Sequence, residues 1–156
     1  MSFKNFFGRK QKGFTILELL VVISIFSLLV SLTALHTGRS VVTFFRLHLA
    51  SRQLYFDFLA ARQQAIRGQD EYGIRFDLAE GSYTFFSGKK GDLKKNYLSN
   101  NLAFKEISFT GNRPEASFKP TGTARGGSVV IASNTGNSYR IVVYGVTGRI
   151  RYERGS

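Results

Sequence analysis

The longest hydrophobic feature of the chain is a run of 22 residues, Phe14 to Leu35, broken by a single charge at Glu18. It is rich in Leu, Ile and Val and has no proline. At 1.5 Å per residue it makes about 33 Å of helix, enough for a hydrocarbon core of ~30 Å. Past Gly38, where a bend is expected, the pattern becomes one-sided. Leu47, Ala50, Leu54, Phe58, Ala61 and Ala65 recur at steps of three and four, with Arg46, Arg52, Gln53 and Arg62 off that stripe. This spacing predicts an amphipathic helix whose apolar face packs on a sheet. Gly68 is read as its C-cap, with Arg67 placed to complement the helix dipole.

From Tyr72 the period changes to two. Tyr72, Ile74 and Phe76 alternate with Gly73, Arg75 and Asp77, "LAEGS" makes a turn, and Tyr83 to Phe86 returns, giving a hairpin. "SGKKGDLKKN" reads as a basic loop carrying Lys89, Lys90, Lys94 and Lys95. Further short strands are expected around Ile107–Phe109, Ala116–Phe118, Ser128–Ala132, Tyr139–Tyr144 and Arg149–Tyr152, separated by glycine-rich turns. One long helix followed by many short strands predicts an α+β fold with the helix laid on an antiparallel sheet.

Charge and composition narrow the function. The formal net charge is +12, which favours phosphate backbones or anionic lipid over acidic partners. There is no cysteine, so disulfides, thiolate metal sites and a cysteine nucleophile are excluded together. His36 and His48 lie ~18 Å apart along a helix and do not share a metal; each reads as solvated or packed. "GTARGG" lacks the Lys-Ser/Thr of a phosphate-binding loop. The acidic residues beyond Glu18 are scattered, except Asp70-Glu71 just past the helix end. No catalytic residue, metal or cofactor is expected. A membrane-anchored hydrolase is the enzymatic alternative, and it lacks a clustered acid or nucleophile.

Four basic residues, Lys4, Arg9, Lys10 and Lys12, precede the apolar run, against Arg39 and Arg46 after it. That bias places the N-terminus in the cytoplasm and the rest of the chain beyond the membrane. An ionised Glu18 at membrane depth costs about 2.5–3.5 kcal/mol and needs a partner. "KGFTILE", Lys12 to Glu18, resembles the prepilin cleavage and methylation motif of type IV pilins and type II secretion pseudopilins. The resemblance implies that a prepilin peptidase cuts between Gly13 and Phe14 and N-methylates Phe14. It also implies that the helix joins other pilin or pseudopilin subunits with the help of an inner-membrane assembly platform. Glu18 then compensates the new amine of a neighbouring subunit.

The second half, through "LAARQQAIRG", "ASFKPTGTARGGSVVI" and "YRIVVYGVTGRIRYER", resembles the GspH/FimT-type minor pilin domain; "LYFDFLAARQQAI" is also similar to a Gram-positive competence minor pilin. The implied organisation is a cleaved basic leader (1–13), a transmembrane and assembly helix (14–38), an amphipathic helix (39–68) and an antiparallel β domain (69–156). In "GRIRYER", Arg149 and Arg151 share one face of a strand about 6.6 Å apart, while Ile150 and Tyr152 face the core. Two guanidiniums so spaced suit successive phosphates of a nucleic acid, with Arg125 and the Lys89–Lys95 loop extending the patch. The motif resembles the Gly-Arg-x-Arg signature of DNA-binding FimT-like minor pilins of natural transformation, although the cysteine common near their tail is missing. Two readings stay open for this edge: non-specific DNA contact, or protection of the sheet against aggregation. The expectation for the whole is a non-enzymatic, single-pass minor pilin or pseudopilin, with a DNA-binding competence pilin as the alternative.

Overall fold

The computed structural model describes residues 15–155, without the side chains of residues 33–40. A helix α1 (Ile16–Gly68) is followed by eight strands: β1 (Tyr72–Asp77), β2 (Ser82–Ser87), β3 (Gly91–Tyr97), β4 (Leu102–Phe109), β5 (Glu115–Phe118), β6 (Gly127–Ser133), β7 (Ser138–Val143) and β8 (Ile150–Gly155). The chain divides into two units, one ending at Arg39 and the other beginning at Ser40.

In the first unit, Thr15 starts the helix. Its Oγ1 accepts from the Glu18 backbone N–H at 3.2 Å, an N-cap bond that satisfies one of the free amides of the first turn. The hydroxyls of Ser24, Ser27 and Ser31 each donate to a carbonyl four residues back at 2.8 Å, so the polar interruptions of the run are satisfied by their own helix. Leu, Ile and Val side chains from Ile16 to Leu32 are exposed on every side. The described apolar stretch stops at Leu32, and among the described residues no helix is long and apolar enough to cross a membrane.

In the second unit the predicted stripe is the packing face. Leu47, Leu54, Phe58, Ala61 and Ala65 are fully buried, Ala50 partly so, and Thr43 and Ser51 join them. Gly68 is the last helical residue, but the left-handed position falls to Gln69 (φ 47°). The Gln69 side-chain amide secures that turn by donating to the Ile66 carbonyl at 3.0 Å. Gly68 instead makes room for Tyr72, whose ring stands 3.3 Å from where a Cβ would be.

The strands form two four-stranded antiparallel sheets rather than one, in orders β3-β2-β1-β5 and β4-β6-β7-β8. The β1–β2 hairpin is as expected, with Ile74 opposite Phe85. The stretch read as a basic loop is a turn followed by strand β3, in which Lys94 and Lys95 pair with Phe85 and Thr84. β3 is an edge strand open to solvent along nearly its whole length, so no alternation marks it. β4 starts at Leu102, earlier than expected, because a bulge between Phe104 and Glu106 breaks the period of two.

Phe76 joins the two sheets. Its ring meets Phe104 edge-on at 5.2 Å and stacks on Phe109 at 5.9 Å, while Phe58 of the helix lies 6.2 Å away. Burial of such a side chain is worth about 1.5–3 kcal/mol. Two polar ties orient the helix on this core. Tyr83 OH donates to Asp57 Oδ2 at 2.7 Å, and His48 Nδ1 shares a 3.2 Å hydrogen bond with the Tyr139 hydroxyl. His48 is thus a packed histidine.

Candidate functional site

Gly13 and Phe14, the expected processing site, lie outside the described residues. Glu18 stands in the first turn of α1, exposed and ringed by exposed Leu17, Leu19 and Leu20. A carboxylate in that turn complements the partial positive charge of the helix start. In the sequence it stands four positions after Phe14.

The second region is the β7–β8 turn and the strand it feeds. Gly148 N–H donates to the Tyr144 carbonyl at 2.8 Å and Tyr144 N–H to the Arg149 carbonyl at 2.9 Å, closing the turn. Arg62 on the helix donates from Nη2 to the Thr147 carbonyl at 3.3 Å and ties the turn down. Gly148 has φ 60°, and a Cβ there would stand 2.0 Å from the carbonyl oxygen of Gly122 in the β5–β6 loop. Glycine is therefore a steric requirement at the head of "GRIR".

Arg149 lies just before β8, and the alternation continues from it. Arg149 and Arg151 are exposed, Ile150 is buried, and Tyr152 is partly buried against Tyr139. The two guanidiniums are not equivalent. Arg151 Nε binds Glu153 Oε1 at 2.6 Å, and a hydrogen bond to Tyr144 together with the Glu153 charge raises its pKa. Arg149 has no ion-pair partner among the described residues.

The other expected contributors belong to different groupings. Arg125 donates from Nη1 to Glu115 Oε1 at 2.7 Å, and the same carboxylate receives Arg75 at 3.4 Å and Arg113 at 3.8 Å. Glu115 is on β5, so Arg125 is directed at the first sheet, whereas Arg149 and Arg151 sit at the edge of the second. Lys89 and Lys90 occupy the β2–β3 turn, and Lys94 and Lys95 lie on β3 of the first sheet. Lys95 is bound to Glu80, which raises its pKa. The turn itself is held by Asp70, which accepts from the Ser87 hydroxyl at 2.6 Å and the Lys89 amide at 3.0 Å. The Ser87 bond leads the interactions that lower the Asp70 pKa. The structure thus leaves Arg149 and Arg151 exposed on one face of the β8 edge, ties the Arg125 side chain to Glu115 although its backbone runs beside the β7–β8 turn, and places the lysines on the first sheet. Sequence reading missed the grouping on Glu115 because Arg75 is 40 residues away in the chain and Arg125 ten, and only the pairing of β1 with β5 and the fold of the β5–β6 loop bring them to it.

Residues 8–34 match the family described as prokaryotic N-terminal methylation motif, and residues 50–147 match the family described as type II transport protein GspH. Among solved structures, the minor pseudopilin EpsH of the Vibrio cholerae type 2 secretion system is similar, with 16% identity and a TM-score of 0.60 over 70% of this chain and 97% of that one. The type IV minor pilin FimU of Pseudomonas aeruginosa is similar too, with 18% identity and a TM-score of 0.54 over 69% of this chain and 92% of that one. At such identities the likeness is one of fold. No curated protein sequence matches.

Proposed function

Since the chain belongs to the GspH family of type II transport proteins, whose members are structural rather than enzymatic, we propose a processing and assembly route for it. It is a minor pilin or pseudopilin of a type IV pilus or a type II secretion system, and its methylation motif makes it a substrate of prepilin peptidase. In the proposed route, cleavage falls between Gly13 and Phe14 and the new amine of Phe14 is methylated. Residues 1–13 are the leader that is lost. Residues 14–38 span the inner membrane with the N-terminus cytoplasmic, residues 39–68 continue as the amphipathic helix, and residues 69–156 form the β domain outside the cytoplasm.

Glu18 carries this reading. A lone carboxylate among exposed leucines is costly in lipid, and it becomes favourable where a neighbouring subunit offers the Phe14 ammonium in a protein-lined bundle. The pairing fixes the axial stagger of one subunit on the next. Intact-mass measurement of membrane-extracted protein tests the route. The mature species should begin at Phe14 and carry one added methyl group. A species that retains Met1–Gly13 in cells with active peptidase overturns it.

A second reading rests on Arg149, exposed and without an ion-pair partner among the described residues. In it the β8 edge contacts DNA without sequence preference, as a competence pilin would, with Arg151 beside it and Arg125 and the lysines as outlying contacts. Arg149 leads, because Arg151 must first give up Glu153.

A further inference from the structure

β3 and β5 end the first sheet, and their outer edges differ. β5 is closed by its own loop: the Arg125 N–H donates to the Ser117 carbonyl at 2.7 Å and the Lys119 N–H to the Thr123 carbonyl at 2.8 Å. Among the described residues nothing pairs with the outer edge of β3. The register says which groups stand there. Leu98 N–H donates to the Gly81 carbonyl at 2.9 Å, and from that pair Tyr97 lies opposite Ser82, Asn96 opposite Tyr83, Lys95 opposite Thr84 and Lys94 opposite Phe85. Bonded and non-bonded pairs alternate in an antiparallel ladder, so Asn96 and Lys94 bond to β2. Tyr97 and Lys95 turn both backbone groups to the open edge. Leu93 (45% exposed) and Tyr97 (67%) add apolar surface to the strand.

Outward N–H and C=O groups at strand spacing are a template for an added strand. The charges choose that strand. Residues 89–97 hold four lysines against one acid, Asp92, which is already bound to Arg75 at 3.3 Å. Lys95 is held by Glu80, whereas Lys90 and Lys94 have no ion-pair partner among the described residues. Two copies of β3 therefore repel each other whatever their register or direction. Nucleic acid and lipid headgroups suit the lysines, but neither offers N–H and C=O groups at strand spacing. We propose that β3 is a strand-addition site for an extended acidic segment of another protein. The segment bonds to the backbone of Lys95 and Tyr97 and sets its carboxylates against Lys90 and Lys94. Such a site lies on the β domain and is independent of the assembly route above.

The test uses the full-length chain in uncharged detergent micelles and a fluorescein-labelled octapeptide of alternating Glu and Val, with binding read as anisotropy. The Glu-Val peptide should bind and slow amide exchange in β3, measured by hydrogen-exchange mass spectrometry, and a Lys-Val octapeptide should not bind. Lys95→Pro removes an outward N–H that β2 does not use. It should weaken binding by about tenfold or more and leave the denaturation midpoint near that of the parent. Lys95→Ala keeps the N–H and should lose much less. Lys90→Glu combined with Lys94→Glu should reverse the preference toward the Lys-Val peptide. Equal binding of a Glu-Pro octapeptide, which cannot form the ladder, reduces the edge to a charged surface and overturns the proposal. So does an absence of binding, binding without protection of β3, equal protection of β3 by a DNA duplex or anionic lipid vesicles, or pairing of two copies through β3. If Lys95→Pro lowers the midpoint, the exchange measurement and the Glu-Pro comparison decide in its place.

Discussion

The two halves of α1 treat apolar side chains in opposite ways. From Ile16 to Leu32 the large ones are exposed in every direction, while three serines hide their hydroxyls in their own helix. From Leu47 to Ala65 they are sorted, with one stripe fully buried beneath two sheets. The first half is stable only in a medium supplied from outside, lipid or the helices of other subunits. The second half holds a domain whose stability is its own. Changes in one half should therefore register in assembly, and changes in the other in the unfolding of the β domain.

The largest test of that division is Phe58→Ala. Phe58 is fully buried and touches Phe76 and Phe118, so its loss should cost the domain about 3–5 kcal/mol, read as a lower midpoint in chemical denaturation. Methylation of Phe14 should be unchanged. An unshifted midpoint would mean that the helix does not support the core. Glu18→Leu is the mirror experiment. It should leave the denaturation midpoint in place and impair co-purification with partner subunits, and Glu18→Ala should do the same. Normal co-purification of both would show that the carboxylate is a bystander and that the first half needs only its bulk.

A smaller effect comes from pH. Burial, aided by Tyr139, raises the Tyr152 pKa to about 12, and burial next to the Asp57 carboxylate raises that of Tyr83 as well. In the unfolded chain both phenols titrate near ~10. Above that pH the unfolded chain holds fewer protons than the folded one, so stability is intact below pH ~10 and falls as the pH rises through about 12. Tyr152→Phe should flatten the fall between these values. An alkaline profile identical to that of the parent would refute the assignment.

The smallest expected effect concerns DNA. Arg149→Ala should weaken non-specific binding at low salt more than Arg151→Ala, because Glu153 already holds Arg151. The double variant should reduce the log–log salt slope by roughly 0.7–0.9 per lost contact. Mobility-shift titrations at two salt concentrations decide it. If the double variant binds as well as the parent, the edge arginines only guard the sheet.

What the sequence made legible follows from how each element is buried. The stripe from Leu47 to Ala65 and the Tyr72–Phe86 hairpin have one wet and one dry face, so periodicity reveals them. β3 is wet along nearly its whole length and leaves no period, and the bulge in β4 erases one that should exist. Pairing into two sheets is a long-range choice that alternation does not encode. At the β8 edge, spacing alone puts Arg149 and Arg151 on one face. The same rule puts Glu153 there too, a neutralising partner two residues on that the pattern already contained. Arg125 was misleading for another reason. A glycine-rich loop suggests a free guanidinium, whereas the partner, Glu115, comes from a strand that only the fold brings near.

The contact between Gly148 and Gly122 also guides where the protein accepts a label. Because the β7–β8 turn and the β5–β6 loop touch backbone to backbone, with Arg62 clamping the first of them, an epitope or fluorophore inserted in either dislodges both. The β6–β7 turn around Gly136 has open space where a side chain would go. An insertion between Asn134 and Asn137 should leave the sheets paired, making this hairpin the practical handle for imaging the subunit in living cells.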